Sequence, residues 1–251
     1  ASAISRMLPN ERLIYFGDTA HHPYGDKSPN SIRRYSKRVA CFLEDQNCKV
    51  ILIACNTASA HACHTISQEY GKRLIIMDVI NPAVSHVVKN YQHNRIGVIA
   101  TKGTINSRVY PRRIKRIAPK ADVSTLATPL LAPMIEEGFF SNTISRAVVD
   151  SYLSNHVLRD IDVLILGCTH YPLIRDEIEG YFGGNLPIID SAECTARLLL
   201  QTLTKHSLLS SVSHGQHEFY VSDYTDAFDH SSKLFFGNEI HLQNINIWPS
   251  L

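Results

Sequence analysis

The sequence holds no two cysteines in Cys-x-x-Cys spacing, which removes any support for zinc-ribbon or thioredoxin-type chemistry. Its six cysteines, at 41, 48, 55, 63, 168 and 194, are too sparse over 251 residues to hold a disulfide scaffold. It also lacks any apolar stretch near the roughly 20 residues that a membrane-spanning helix needs. Residues 1–12 have no uninterrupted apolar segment of the kind a secretory signal carries. Neither sign of charge dominates: 25 Lys and Arg against 23 Asp and Glu leave a net charge of +2. That balance makes no electrostatic case for nucleic acid or an anionic membrane as partner. A glycine-rich phosphate loop and low-complexity tracts are absent too. With 44% apolar and 19% charged residues, the expectation is a globular protein with reduced cysteines in the cytoplasm.

What is present is an alternation of two patterns. Strand-length apolar runs occur at 13–16, 50–54, 74–79, 96–100, 163–166 and 187–189, with one more strand at 218–221 in a more polar C-terminal region. The first six are nearly continuous in Ile, Leu and Val, as parallel strands covered on both faces require. Helical spacing appears at 31–46, 83–91, 144–153 and 192–204, with another helix after Tyr171-Pro172. Asn81-Pro82 reads as an N-cap followed by proline at the first helical position. Such alternation predicts an α/β fold.

Two segments echo each other. Lys49-Val50-Ile51-Leu52-Ile53-Ala54-Cys55-Asn56-Thr57 and Asp162-Val163-Leu164-Ile165-Leu166-Gly167-Cys168-Thr169-His170 both run strand, small residue, cysteine, polar residues, helix. Each places a cysteine at the carboxyl end of a strand, the edge where open α/β sheets bind ligands. A helix N-terminus there is expected to favour the thiolate and lower the thiol pKa. Two such groups facing one carbon suit the inversion of a stereocentre, one removing a proton while the other delivers one from the opposite face. Cys41, Cys48, Cys63 and Cys194 have no polar cluster around them and read as buried core residues.

At these motifs the chain resembles the glutamate racemases of the aspartate/glutamate racemase superfamily. The likeness rests on Ala54-Cys55-Asn56-Thr57-Ala58-Ser59 and Gly167-Cys168-Thr169-His170, with Gly17-Asp18-Thr19 and Pro23-Tyr24-Gly25 upstream. It implies two pseudo-symmetric three-layer α/β domains with mostly parallel sheets and the site between them. Residues 1–83 plus 195–251 would form the first domain and 84–194 the second. It implies interconversion of L- and D-glutamate for peptidoglycan, without pyridoxal phosphate, metal or nucleotide, in a homodimer. By the same resemblance, Cys55 is the base for the D-enantiomer and Cys168 for the L-enantiomer. His170 and Glu136 assist the second cysteine, and Asp18 has a supportive role. Asn56, Thr57, Thr169, Tyr24, Gly25, Thr101 and Thr104, together with His170, would contact substrate.

Two departures from the family pattern stand out. Asn81 occupies a position that is usually glutamate. Nothing in residues 1–9 matches the family's opening strand and Asp-Ser-Gly loop, so a longer natural N-terminus is expected, and a chain starting at Ala1 is expected to be poorly active and less stable. Other constellations point less far. His61, Cys63 and His64 share helical spacing but lack a fourth ligand for zinc. The basic runs Arg33-Arg34/Lys37-Arg38 and Arg112-Arg113/Lys115-Arg116 read as solvated helix faces. Asp223, Asp226 and Asp229 lack calcium-loop spacing. The competing functions are an aspartate or hydantoin racemase of the same superfamily, against which His170 argues by resemblance, and a non-catalytic binding protein on the same fold.

Overall fold

The computed structural model describes residues 1–212, 215–225, 232–233 and 240–248. Helix α1 (Ser2–Met7) precedes β1 (Ile14–Gly17), α2 (Pro29–Asp45), β2 (Val50–Ile53), α3 (Asn56–Tyr70), β3 (Ile75–Asp78) and α4 (Ile80–Tyr91). There follow β4 (Arg95–Ala100), α5 (Lys102–Asn106), α6 (Val109–Ile117), β5 (Asp122–Ala127), α7 (Leu131–Glu136) and α8 (Thr143–Leu153). The chain continues with β6 (Val163–Gly167), α9 (Arg175–Tyr181), β7 (Ile188–Asp190), α10 (Ser191–Lys205), β8 (Glu218–Val221) and β9 (Leu242–Asn244).

Each apolar run read from the sequence is a strand, with ends moved by at most one residue. Strand β5 is different. Its sequence, Asp-Val-Ser-Thr-Leu-Ala, has no continuous apolar run, because it lies at the outer edge of its sheet and is only half-buried. All strand pairings among the described residues are parallel. They form three sheets, in the orders β1-β8-β9, β2-β3 and β5-β4-β6-β7.

Strand side chains alternate between faces, and the cores follow that period of two. Ile96 and Val98 of β4, with Val163 and Ile165 of β6, pack beneath α4 and α6. Their neighbours Ile99, Leu164 and Leu166 face α7, α8 and α9 on the other side. This gives three layers, helix, sheet, helix, which is why these strands read as unbroken apolar runs. The β2-β3 sheet is built alike. Ile51 and Ile53 meet α2 and α3, whereas Met77 meets α1 and α10.

Helix α4 begins earlier than the Asn81-Pro82 pattern suggests. The carboxylate of Asp78 accepts the backbone N–H groups of Ile80 and Asn81, each at 2.8 Å, so the capping oxygen comes from the end of β3. Pro82 still falls in the first turn, where its missing N–H costs no helical bond. Asp78 also accepts from Arg113 of α6 at 2.8 and 2.9 Å, although its own side chain is fully buried. Arg113 therefore belongs to a buried ion pair, not to the solvated face expected of its basic run.

Candidate active site

In the four-stranded sheet, β4 is followed by β5 on one side while β6 lies on the other. The carboxyl ends of β4 and β6 thus flank the point where strand order reverses, a natural ligand crevice. Thr101 follows β4, and Cys168 follows β6. Cys55 stands at the equivalent position after β2, as the residue preceding the first turn of α3.

The start of α3 is tied down from several directions. Ser59 donates to the carbonyl of Ile53 at 2.8 Å, holding the strand-to-helix turn. Asn56 and Thr57 are each only 2% exposed. Tyr110 of α6 donates its hydroxyl proton to Asn56 Oδ1 at 2.8 Å. The Nδ2 of Asn56 is buried with no partner among the described residues, leaving a donor for something else. The hydroxyls of Thr57, Thr101 and Thr104 form a triangle with sides of 2.9, 3.1 and 3.1 Å. Gly103 permits this close approach: a Cβ there would lie 2.9 Å from both the Gly25 carbonyl and Thr57 Cγ2.

The Pro-Tyr-Gly turn is held by Asp18. Its carboxylate accepts from the Tyr24 hydroxyl at 2.6 Å and from Ser222 at 2.9 Å, with His21 Nδ1 at 2.8 Å. These contacts occupy Asp18 with positioning Tyr24. Gly25 packs against Thr101, which lies 3.1 Å from where a Cβ would stand.

At the second cysteine, His170 Nδ1 lies 3.6 Å from Cys168 Sγ. On its other side, His170 Nε2 is 3.2 Å from Glu136 Oε1, at the end of α7. The same oxygen lies 3.3 Å from His22 Nε2. Thr169, between Cys168 and His170, is exposed.

Electrostatics at the two thiols depart from the simple helix-terminus expectation. Burial pushes the Cys55 thiol up, with backbone N–H groups of Ala58 and Thr57 and the Thr57 hydroxyl pulling the other way. Burial likewise pushes Cys168 up to about 12, against the backbone N–H groups of His170 and Tyr171. Desolvation outweighs the helix ends here. The charge of Cys55 raises Cys168 further. Glu136 raises both. Burial lowers the pKa of His170, which favours a neutral ring able to accept a proton.

The residues outside this cluster have other employment. His61 Nε2 lies 3.0 Å from the Gly103 carbonyl, and Cys63 donates to Asp78 at 3.3 Å. Cys41, Cys48, Cys63 and Cys194 are half-buried, where the sequence suggested full burial. Asp226 and Asp229 lie outside the described residues. Among the described residues, no helix is long and apolar enough to cross a membrane. Tyr110, Gly103 and His22 are the site residues that sequence reasoning did not find. Only His22, in His21-His22-Pro23-Tyr24, carried a signal, its proximity to a recognised motif.

Known proteins resemble this chain in sequence and fold. The pattern of the Asp/Glu/hydantoin racemases matches residues 1–199. The chain belongs to that family. It is 40% identical over 238 residues to the glutamate racemase of Geobacter metallireducens, covering 94% of this chain and 87% of that one. The glutamate racemase of Chlorobaculum parvum is 40% identical over 240 residues, covering 95% and 88%. The crystal structure of Francisella tularensis glutamate racemase in complex with D-glutamate superposes with a TM-score of 0.91 at 37% identity, covering 98% of this chain and 91% of that one. The family membership extends across both cysteine blocks and the threonine triangle.

Proposed function

We infer that this protein is an isomerase that interconverts L- and D-glutamate by proton transfer at Cα between two cysteines. The observation that carries this is the like placement of Cys55 and Cys168, each at a strand-to-helix turn of a different sheet, with Tyr110 bridging the two turns: its hydroxyl holds Asn56 at 2.8 Å and its ring lies 3.3 Å from where a Cβ on Gly167 would stand. The glutamate specificity of its relatives supports glutamate as substrate over aspartate or a hydantoin.

In the L-to-D direction the Cys168 thiolate removes the Cα proton and the Cys55 thiol delivers one to the opposite face; the return reaction exchanges the roles. Mutual repulsion suits this chemistry, because it favours one thiolate and one thiol over two thiolates. His170 stands ready to share a proton with Cys168, and Glu136 orients the imidazole through Nε2. The buried Nδ2 of Asn56 and the threonine hydroxyls offer donors for substrate carboxylate, with Gly25 packed against Thr101 beside them; Tyr24 and Thr169 are further candidate substrate contacts. Asp18 acts through Tyr24.

Both proton carriers being side chains, the reaction needs no pyridoxal group, metal or nucleotide. We further propose that the product supplies peptidoglycan synthesis in the cytoplasm and that the protein works as a homodimer. The parallel pairing of β8 with β1 supports a division into 1–83 plus 195–251 and 84–194. Circular dichroism with L-glutamate and then D-glutamate tests the function. Decay of either signal toward zero is expected; no decay with glutamate, or decay with aspartate alone, overturns it.

A further inference from the structure

Glu136 Oε1 is shared between two imidazoles, 3.2 Å from His170 Nε2 and 3.3 Å from His22 Nε2. His170 Nδ1 in turn lies 3.6 Å from Cys168 Sγ. The four groups form a continuous line of proton-carrying atoms. It starts at a thiol only 7% exposed and ends at a histidine side chain 43% exposed.

A two-thiol racemase has a proton balance to restore after every turnover. Converting L- to D-glutamate leaves Cys168 as thiol and Cys55 as thiolate, the reverse of the starting arrangement. Substrate and product carry the same number of protons, yet the enzyme is ready only for the opposite reaction. Before the next L-glutamate reacts, one proton must leave Cys168 for water and another must reach Cys55 from water. Direct loss from Cys168 is hindered, since the residue is only 7% exposed and has little contact with water.

We propose that His22 is the solvent-side end of a proton relay that resets Cys168 between turnovers. The Cys168 S–H bond breaks as an N–H bond forms at His170 Nδ1, while His170 gives the proton on Nε2 to Glu136 Oε1. The Glu136 carboxyl then passes its proton to His22 Nε2, and the resulting imidazolium releases one to water. For the D-to-L direction every transfer runs inward. Charge and proton number balance at each step, with water as the only co-reactant. His22 acts through Glu136 and does not touch the substrate. The proposal rests on the racemase reading above.

The test is steady-state kinetics in both directions for His22→Gln and His22→Ala, with and without free imidazole. A slowed reset limits the enzyme only when substrate is abundant. The expected result is a kcat lowered about tenfold in both directions. KM should fall by the same factor and kcat/KM should hold. Added imidazole should restore kcat of His22→Ala and leave the unsubstituted enzyme unchanged. A lowered kcat/KM with no response to imidazole would mean that His22 merely holds Glu136 in place, and would overturn the relay. An unchanged kcat would overturn it as well. Failure of the underlying reading looks different: the unsubstituted protein would not racemise glutamate, or Cys168→Ser would retain both directions.

Discussion

The Tyr110 hydroxyl, on α6, donates to the Asn56 side chain beside Cys55 at 2.8 Å, and both residues are almost wholly buried. This bond joins a helix packed on the four-stranded sheet to the helix that begins at the first candidate base. Replacing Tyr110 by phenylalanine leaves the Asn56 Oδ1 buried and unsatisfied. A loss of about 1–3 kcal/mol in unfolding free energy is expected. The KM for glutamate should rise as Asn56 loses its orientation. Urea titration and initial-rate kinetics check both; unchanged values in both would show the bond to be dispensable.

Cys55→Ser and Cys168→Ser should each lower racemisation by at least about a thousandfold, since a serine hydroxyl is too weak a base at neutral pH to replace a thiolate. Polarimetry from either enantiomer is sufficient. Near-native turnover in both directions from either variant would end the two-base account.

Cys41, Cys48, Cys63 and Cys194 should tolerate alanine with full turnover per folded molecule. All four are half-buried; Cys194 packs against a cluster that contains neither paired thiol, and Cys63, which shares an apolar cluster with Cys55, turns its thiol to Asp78. Some loss of stability at Cys63, whose thiol donates to Asp78, is compatible with this. Loss of turnover in well-folded protein is not.

Alkaline pH should destabilise the fold. The Cys168 thiol, ordinarily near 9, is raised to about 12 by burial, and Cys63 to about 11 by burial and the neighbouring Asp78 carboxylate. Between these limits the unfolded chain has released protons that the native state still holds. Stability is therefore fully present below pH 9 and falls as pH rises toward 12, by up to about 1.4 kcal/mol per pH unit for the buried Cys168 and by less for the half-buried Cys63, whose shift solvent screens. Urea titrations at pH 8 to 11 should show that slope, and Cys168→Ser should make it shallower. An identical slope in the variant would place the Cys168 thiol near its ordinary value.

Arg113→Ala should cost about 3 kcal/mol, because it leaves the fully buried Asp78 carboxylate without its cation. The remaining N–H donors of Ile80 and Asn81 offset only part of the loss. Thermal unfolding measures the effect. A variant as stable as the parent would mean that the pair does not hold α6 to the end of β3.

The strands at 50–53 and 163–167 and the cysteines that follow them were legible from local sequence, because strand, turn and helix start are encoded by adjacent residues. Unbroken apolar runs also implied burial on both faces, and hence three layers. Strand β5 escaped that reading because an edge strand needs no such run. The capping of α4 by Asp78 escaped it because Asn81 offered an equally plausible local cap.

Sequence alone singled out the candidate residues for the chemistry: two cysteines at two like turns, with asparagine, threonine and histidine beside them. Tertiary structure decided how those residues behave. Tyr110 meets Asn56 and His22 meets Glu136 only because distant elements pack together, and no local pattern encodes such contacts. The thiols' pKa values follow the same rule. A helix N-terminus, visible in sequence, favours the thiolate, but the depth of burial exists only in the folded chain, and here desolvation is the larger effect.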